Sequence, residues 1–260
     1  MKQFLGIGIL WVLALQITYG QTYKMVITNP QDITLDINIL NSELIIEGYD
    51  GKELIITAEG HEPAPERAKG LKPLYSNVED NSGIGLSIVS KGNQIDITRA
   101  SRKSIQYHFK VPRKANITIG QGNIPGEDLH IKNMEGELAV QTLNGDVTLE
   151  NVSGPLYISS TSGDVVVKFS ELNQSKNSAI AAVSGFVDIT LPSREKANLK
   201  LSSISGEVFT DLSLEFEKRK NGEGLQPLTF GHNTIKASLN GGGVELHVKA
   251  ISGDIYLRKK

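Results

Sequence analysis

Length, composition and charge set the first limits on what the chain can be. The sequence has 260 residues, 27 Lys and Arg against 29 Asp and Glu, and a formal net charge of −2, with both signs interspersed along the chain. This balance excludes the basic surface that binds nucleic acid or anionic membranes. The absence of cysteine excludes disulfide bonds, thiolate metal sites, cysteine nucleophiles and the lipidated cysteine of a bacterial lipoprotein.

Residues 1–20 have the pattern of a cleavable secretory signal peptide. Lys2 precedes an apolar run from Phe4 to Leu15, and the small-residue ending Thr18-Tyr19-Gly20 follows it. The run is too short to cross a bilayer core of roughly 30 Å, and no later segment reaches the ~18 apolar residues of a membrane span. We therefore expect residues 21–260 to be exported to the periplasm, the cell surface or the medium, without membrane insertion.

A nine-residue repeat dominates the middle of the chain. Gly136, Gly145, Gly154 and Gly163 follow one another at intervals of nine residues, and each begins a short stretch of alternating apolar and polar residues. Alternate side chains of a strand point to opposite faces, so one face of each stretch is expected to enter a core. The expected inward pairs are Leu138 and Val140, Val147 and Leu149, Leu156 and Ile158, Val165 and Val167, Val187 and Ile189, Leu199 and Leu201, Val244 and Leu246, and Ile255 and Leu257.

Two strand types alternate along this repeat. The glycines of one type, at 145, 163, 185 and 206, are separated by 18, 22 and 21 residues, a length that fits one coil of a parallel β-helix. The Ser-Gly and Asn-Gly pairs predict corners at which glycine permits a positive φ. The sequence thus predicts an all-β fold, a single-stranded parallel β-helix (β-solenoid), with inserted loops at Glu171–Asn177 and Glu215–Leu228.

We expect residues 21–260 to form a single β-solenoid domain after the signal peptide. Its part 22–120 is less regular, and 121–260 is the regular repeat. The stretch 61–82, with three prolines, predicts a long excursion that contains a short helical turn around Glu66–Lys69. Gly85–Ile97 and Ile105–Val111 predict longer, hairpin-like strands.

The repeated units resemble the putative-adhesin family of bacterial envelope proteins, a domain of unknown function with β-helical, adhesin head-like repeats. The resemblance spans roughly Tyr23 to Lys260 and rests on four segments: Leu143–Val152, Ser162–Val165, Leu239–Glu245 and Ser252–Leu257. It implies an exported, non-catalytic adhesin or binding or structural module whose partner is unknown, with an envelope glycan or protein as candidates. The family has no catalytic residue to transfer to this chain.

Calcium is the main alternative for the acids that follow the corner glycines. Asp146, Asp164, Glu207 and Asp254 recur at this position and could stack as a column. Calcium-binding nonapeptides need Gly-Gly-x-Gly-x-Asp, however, whereas these acids directly follow a single Ser-Gly or Asn-Gly. We therefore expect solvated corner acids. The five histidines show no His-Glu-x-x-His motif, so no metal or cofactor is predicted.

A polysaccharide-active enzyme on a β-helix scaffold is the second function that the pattern leaves open. Such an enzyme needs acids or bases that converge in a groove lined by aromatic residues. Residues at outward positions that could serve are Tyr157, Asp188, Lys200, Asp211, Lys236, Tyr256 and Arg258. They are scattered over both strand types, so the sequence predicts no enzyme and assigns no catalytic, cofactor-binding or metal-ligating residue.

Overall fold

A computed structural model describes residues 21–39, 42–62, 65–68, 70–71, 74, 77–120, 127–216 and 234–260. The predicted signal peptide, and the predicted loop Glu215–Leu228 beyond residue 216, lie outside the described residues. The strands are β1 (Gln21–Val26), β2 (Thr34–Asn38), β3 (Leu44–Tyr49), β4 (Glu53–Glu59), β5 (Leu86–Lys91), β6 (Gln94–Arg99), β7 (Gln106–Pro112), β8 (Asn116–Ile119), β9 (Leu129–Lys132), β10 (Leu138–Thr142), β11 (Val147–Val152), β12 (Leu156–Ser162), β13 (Val165–Phe169), β14 (Ser178–Ser184), β15 (Val187–Leu191), β16 (Ala197–Ser203), β17 (Val208–Thr210), β18 (Leu214–Phe216), β19 (Thr234–Leu239), β20 (Val244–Ser252) and β21 (Ile255–Lys259).

The strands form two large sheets with mostly parallel pairing, which confirms the all-β prediction. Sheet A has ten strands in the order β1-β4-β7-β3-β9-β11-β13-β15-β21-β17. Sheet B has eleven strands in the order β18-β19-β16-β20-β14-β12-β10-β8-β2-β6-β5. We call a strand of sheet B and the strand of sheet A that follows it a coil, as in β10–β11 and β12–β13. Within the described ranges no helix has the length and apolar composition of a membrane span.

The coils do not all stack in chain order. The final coil, β20–β21, lies between β14–β15 and β16–β17, because β21 pairs in parallel with both β15 and β17, and β20 with both β14 and β16. The expected adjacency of Gly185 and Gly206 is therefore wrong, since Gly253 lies between them. At the other end of the stack, coil β2–β3 lies in the same way between β6–β7 and β8–β9.

A turn across the end of β16 allows this interleaving. Strand β19 pairs antiparallel with one edge of β16, and β20 pairs parallel with the other edge. Residues 240–243 join the two strands, and Asn240, Gly241 and Gly242 all have positive φ. The three-glycine run 241–243 is thus a strand-joining turn. In the same way, β3 and β4 lie on either side of β7.

Columns of aliphatic side chains fill the space between the sheets. In sheet A one column runs through Val147, Val165, Val187 and Ile255, each of them at most 1% exposed. The predicted inward pairs are confirmed as buried, except that Val244 is only half-buried. Because parallel register places equivalent residues side by side, each coil buries the apolar face of its neighbour.

Two causes require glycine at the corners, a positive φ and the close approach of the adjacent coil, and both apply at Gly145 and Gly163. Gly145 and Gly163 have φ of 87° and 121°, values that L side chains rarely adopt, so the turn itself requires glycine there. Gly154 has no positive φ, and the prediction of one is wrong. A Cβ at Gly154 would instead lie 1.8 Å from the carbonyl oxygen of Gly136 on the adjacent coil. Close approach of two coils, rather than the turn, excludes a side chain at position 154.

Side chains that belong to the predicted excursion cover β5, an edge strand of sheet B. The excursion contains the predicted helical turn, a 3-10 helix at Glu66–Ala68, and β5 and β6 form the predicted antiparallel hairpin. Asn81 exchanges two hydrogen bonds with the backbone of Ile88, and the Ser82 hydroxyl donates to the carbonyl of Leu86. These contacts occupy backbone groups of the edge strand that could otherwise pair with another chain. Strand β7, predicted as hairpin-like, pairs antiparallel with β4 on one side and parallel with β3 on the other.

Candidate functional site

The corner acids stack in a column and bind backbone. The N–H of Asp146 donates to Asp128 (3.0 Å), that of Asp164 donates to Asp146 (2.8 Å), and that of Phe186 donates to Asp164 (3.0 Å). Each carboxylate therefore accepts the N–H of the equivalent residue one coil further along the stack. Such charge-assisted bonds join neighbouring coils at the corners, outside the hydrogen-bonded strands.

Phe186 interrupts this column, which then resumes on the last two coils. There the N–H of Glu207 donates to the Asp254 carboxylate at 2.9 Å. Among the described residues no group of three or more His, Asp or Glu side chains is placed to hold a metal ion. The four acids considered for calcium thus lie in two sets, and three of them accept backbone N–H groups.

Phe186, the aromatic residue in the acid column, belongs to an aromatic cluster on the outer face of sheet A. Its ring meets Tyr256 edge to face, with ring centroids 5.9 Å apart. Tyr256 stacks on Phe209 with centroids 5.4 Å apart and planes 12° apart. Phe209 lies on β17, the edge strand, and is 45% exposed. The stack therefore ends in an aromatic ring open to solvent.

Charged groups surround these rings. The Nε of Arg258 donates to both carboxylate oxygens of Asp188 at 2.9 Å, and its guanidinium lies 5.4 Å from the centre of the Tyr256 ring. The Tyr256 hydroxyl donates to Asp254 at 3.0 Å, and this hydrogen bond raises the pKa of Tyr256 above its ordinary value. We call Phe186, Asp188, Phe209, Tyr256 and Arg258 the aromatic patch.

The aromatic patch unites only part of the residues that the sequence offered for an enzyme. Asp188, Tyr256 and Arg258 come together on sheet A, and Asp211 lies beside them, where its carboxylate accepts the N–H of Lys259 at 2.7 Å. The other three, Tyr157, Lys200 and Lys236, lie on the outer face of sheet B. The acids that do converge are engaged, Asp188 by Arg258 and Asp211 by backbone.

Sequence reasoning missed Phe209 and gave Phe186 no role. Phe209 follows Val208 at an outward position, but its contact with Tyr256 depends on coil β20–β21 lying next to coil β16–β17. No local pattern reports that adjacency. Phe186 did carry a signal in the sequence. It follows a corner glycine, at the position that Asp146, Asp164 and Asp254 occupy in other coils.

The aromatic patch combines two kinds of recognition within one surface. The free face of Phe209 can stack on a flat, partly apolar group. Beside it, Asp188 can accept hydrogen bonds, and the terminal nitrogens of Arg258, whose side chain is 55% exposed, can donate them. A surface of this kind suits a ligand that has both C–H faces and hydroxyl groups.

Comparison with known proteins places the chain in a family. No curated protein matches the sequence. Among solved structures it is similar to a putative cell adhesion protein from Clostridium sporogenes, with 15% identity, a TM-score of 0.45, and coverage of 93% of this chain and 100% of that one. It is also similar to a putative adhesin from Bacteroides fragilis (12%, TM-score 0.38, 94% and 98%) and a putative lipid binding protein from Parabacteroides distasonis (10%, TM-score 0.30, 94% and 98%).

The family description Toastrack DUF4097 matches residues 111–247, more than half of the sequence. The resemblance to the putative-adhesin repeats is thereby confirmed, and the chain belongs to the Toastrack DUF4097 family.

Proposed function

We propose that the protein is an exported, non-catalytic binding module of the cell envelope, and that the aromatic patch binds its ligand. The observation that carries this proposal is the exposed ring of Phe209 at the end of an ordered aromatic stack. A partly exposed aromatic residue that its neighbours hold in place contributes contact area at a small cost in conformational entropy.

The ligand class that fits the aromatic patch best is a glycan. A pyranose ring has a C–H face that can cover Phe209, while its hydroxyl groups can donate to Asp188 and accept from Arg258. Asp188 already neutralises Arg258, and Asp254 lies beside the Tyr256 hydroxyl, so the patch favours a neutral sugar over an anionic one.

Three features of the chain support the rest of the proposal. The signal pattern of residues 1–20 favours export, with residues 21–260 as the mature domain. The β-solenoid of two-strand coils holds the patch on regular strands, which position side chains more precisely than loops do. The names given to related proteins, adhesin and cell adhesion protein, are those of binding proteins.

Binding measurements on a panel of neutral envelope oligosaccharides test the proposal. We expect at least one glycan to bind, and Phe209→Ala to weaken its binding at least tenfold, which corresponds to about 1.4 kcal/mol. Arg258→Ala is expected to weaken binding of the same glycan, because the guanidinium donates to hydroxyl groups. Titration calorimetry on the purified protein measures both effects.

Phe216→Ala is the matched control, because Phe216 is an aromatic residue that is even more exposed than Phe209 (64% against 45%) at the same end of the stack, but on sheet B. It is expected to leave the affinity unchanged. Equal losses from the two substitutions, or no binding by any glycan at millimolar concentration, would contradict the proposal. So would capture of a protein partner through Phe209 when no glycan binds.

A further inference from the structure

The outer face of sheet B carries a row of side chains that crosses nine strands at one register position. From β6 to β19 the row reads Asp96, Asp36, Thr118, Ala139, Tyr157, Ala179, His247, Lys200 and Lys236. We call it the sheet B row. Its two ends carry opposite charges, and the side chains at its centre are small except for that of Tyr157.

Each end of the sheet B row places like charges directly opposite one another on neighbouring strands. At one end Asp36 lies opposite Asp96, and burial, followed by the Asp96 charge, raises the pKa of Asp36 above its ordinary value. Lys91 pairs with Asp96 at 2.7 Å, and the Gln94 side-chain amide donates to Asp96 at 2.6 Å and to Asp36 at 3.4 Å, so the two carboxylates share one ammonium and one amide. Opposed like charges destabilise a sheet, and among the described residues Asp36 has no cation within 4.0 Å, so one negative charge at this end has no ion-pair partner.

At the other end Lys200 lies opposite Lys236. Neither ammonium has a carboxylate within 4.0 Å in the part of the chain that the structure describes. His247 adjoins Lys200 on the next strand. This end therefore repeats the same destabilising arrangement with the opposite sign.

Sheet A shows how the same fold avoids this repulsion. Across its outer face Lys110, Glu47, Lys132, Glu150 and Lys168 follow one another on neighbouring strands, so that the signs alternate. Lys132 lies 3.4 Å from Glu47, and Lys168 lies 2.6 Å from Glu150. Ion pairs within the chain compensate this row, whereas in the sheet B row Asp96 alone has an ion-pair partner among the described residues.

The two like-charge pairs are placed symmetrically about Tyr157. Asp36 and Lys200 each lie three strands from β12, which carries Tyr157, and Asp96 and Lys236 each lie four strands from it. A two-fold rotation about an axis along β12 therefore places Lys200 over Asp36 and Lys236 over Asp96. The surface is complementary to a second copy of itself.

The centre of the sheet B row can receive a second copy. Tyr157 is 40% exposed, and its neighbours on both adjacent strands are the small residues Ala139 and Ala179. These residues line a shallow depression of about 310 Å³. A tyrosine displaced slightly from the two-fold axis would fill the equivalent space on its partner.

We propose that the protein forms a two-fold homodimer through the outer faces of two B sheets. The acidic end of each sheet B row meets the basic end of its partner's row, and the two Tyr157 rings pack at the centre. Nine strands at about 4.8 Å and five residues at about 3.3 Å give each face on the order of 650 Å². Twice that area falls within the roughly 1,200–2,000 Å² of stable interfaces. Both aromatic patches remain free, because they lie on the A sheets.

Charge reversal with sedimentation velocity tests the dimer. We expect Lys200→Glu/Lys236→Glu and Asp36→Lys/Asp96→Lys each to be monomeric at concentrations where the unaltered protein is dimeric. The first variant has two acidic ends and the second has two basic ends, so an equimolar mixture of them is expected to form a heterodimer. Combining all four changes in one chain is expected to restore the homodimer.

Lys24→Glu/Lys52→Glu, with the same change in charge on exposed lysines away from sheet B, is the control and is expected to stay dimeric. Circular dichroism verifies folding, and Asp36→Asn/Asp96→Asn replaces the lysine variant if that one does not fold. A monomeric unaltered protein at about 100 μM, a concentration well above the dissociation constants of specific complexes, overturns the proposal. Folded reversal variants that remain dimeric, or that fail to associate when mixed, overturn it as well.

Discussion

Removal of Asn240–Lys260 is expected to unfold the C-terminal half of the protein, not merely to shorten it. The segment contains β20 and β21, which lie inside the stack and pair on both sides. Its buried Leu246, Val248, Ile255 and Leu257 are each at most 1% exposed. At about 1.5–3 kcal/mol for each side chain, their loss approaches the whole 5–15 kcal/mol stability of a typical domain.

The same truncation would have a small effect in a solenoid whose coils stack in chain order, because it would then remove an end coil. Thermal unfolding followed by circular dichroism distinguishes the two cases. Deleting Gln21–Val26 is the control, since β1 is a true edge strand with no fully buried residue. A truncated protein that keeps a cooperative transition within a few degrees of the full chain would contradict the interleaved arrangement.

Gly154→Ala is expected to lower the free energy of unfolding by about 3 kcal/mol or more. The added methyl group would lie 1.8 Å from the carbonyl oxygen of Gly136, and neither atom belongs to a flexible side chain that could move away. The neighbouring coils would have to separate at this corner, which would lengthen strand hydrogen bonds on both sides. Urea denaturation, with the slope compared between variants, measures the change.

Gly241→Ala is the matched control, because Gly241 has a positive φ of 82° and no atom within 4 Å of the added methyl group. Its cost arises from the backbone conformation alone and is expected to be about 1–2 kcal/mol. If Gly154→Ala lowers the free energy of unfolding no more than Gly241→Ala does, the two corners do not approach each other as closely as the structure shows.

The strands and their inward faces were predictable, because alternation is a local property of the sequence. Val147, Leu149, Val165 and Val167 are buried as expected, and the loop Glu171–Asn177 lies between β13 and β14. The predicted loop that begins at Glu215 was wrong at its start, since Glu215 lies in β18. Three residues with a single half-buried side chain give too short a pattern to recognise.

The order of the last coils was not predictable, because the two corners that could follow Gly185 have the same chemistry. Ser205-Gly206-Glu207 and Ser252-Gly253-Asp254 both offer a corner glycine followed by an acid, so either could follow Gly185. The choice depends on the turn at residues 240–243, which carries β20 past the end of β16. The aromatic patch was unpredictable for the same reason, since Phe209 contacts Tyr256 only because β21 lies next to β17.

Disulfide formation in a chain without native cysteine tests the interleaved order most directly. Thr190 on β15 lies opposite Arg258 on β21, at the spacing of neighbouring strands of about 4.8 Å, which falls within the range of Cα separations in disulfides. In chain order Thr190 would instead lie opposite Asp211. Under mild oxidation we expect Thr190→Cys/Arg258→Cys to form the intramolecular disulfide, and Thr190→Cys/Asp211→Cys to remain reduced. A disulfide in the second variant but not in the first would contradict the interleaved stack.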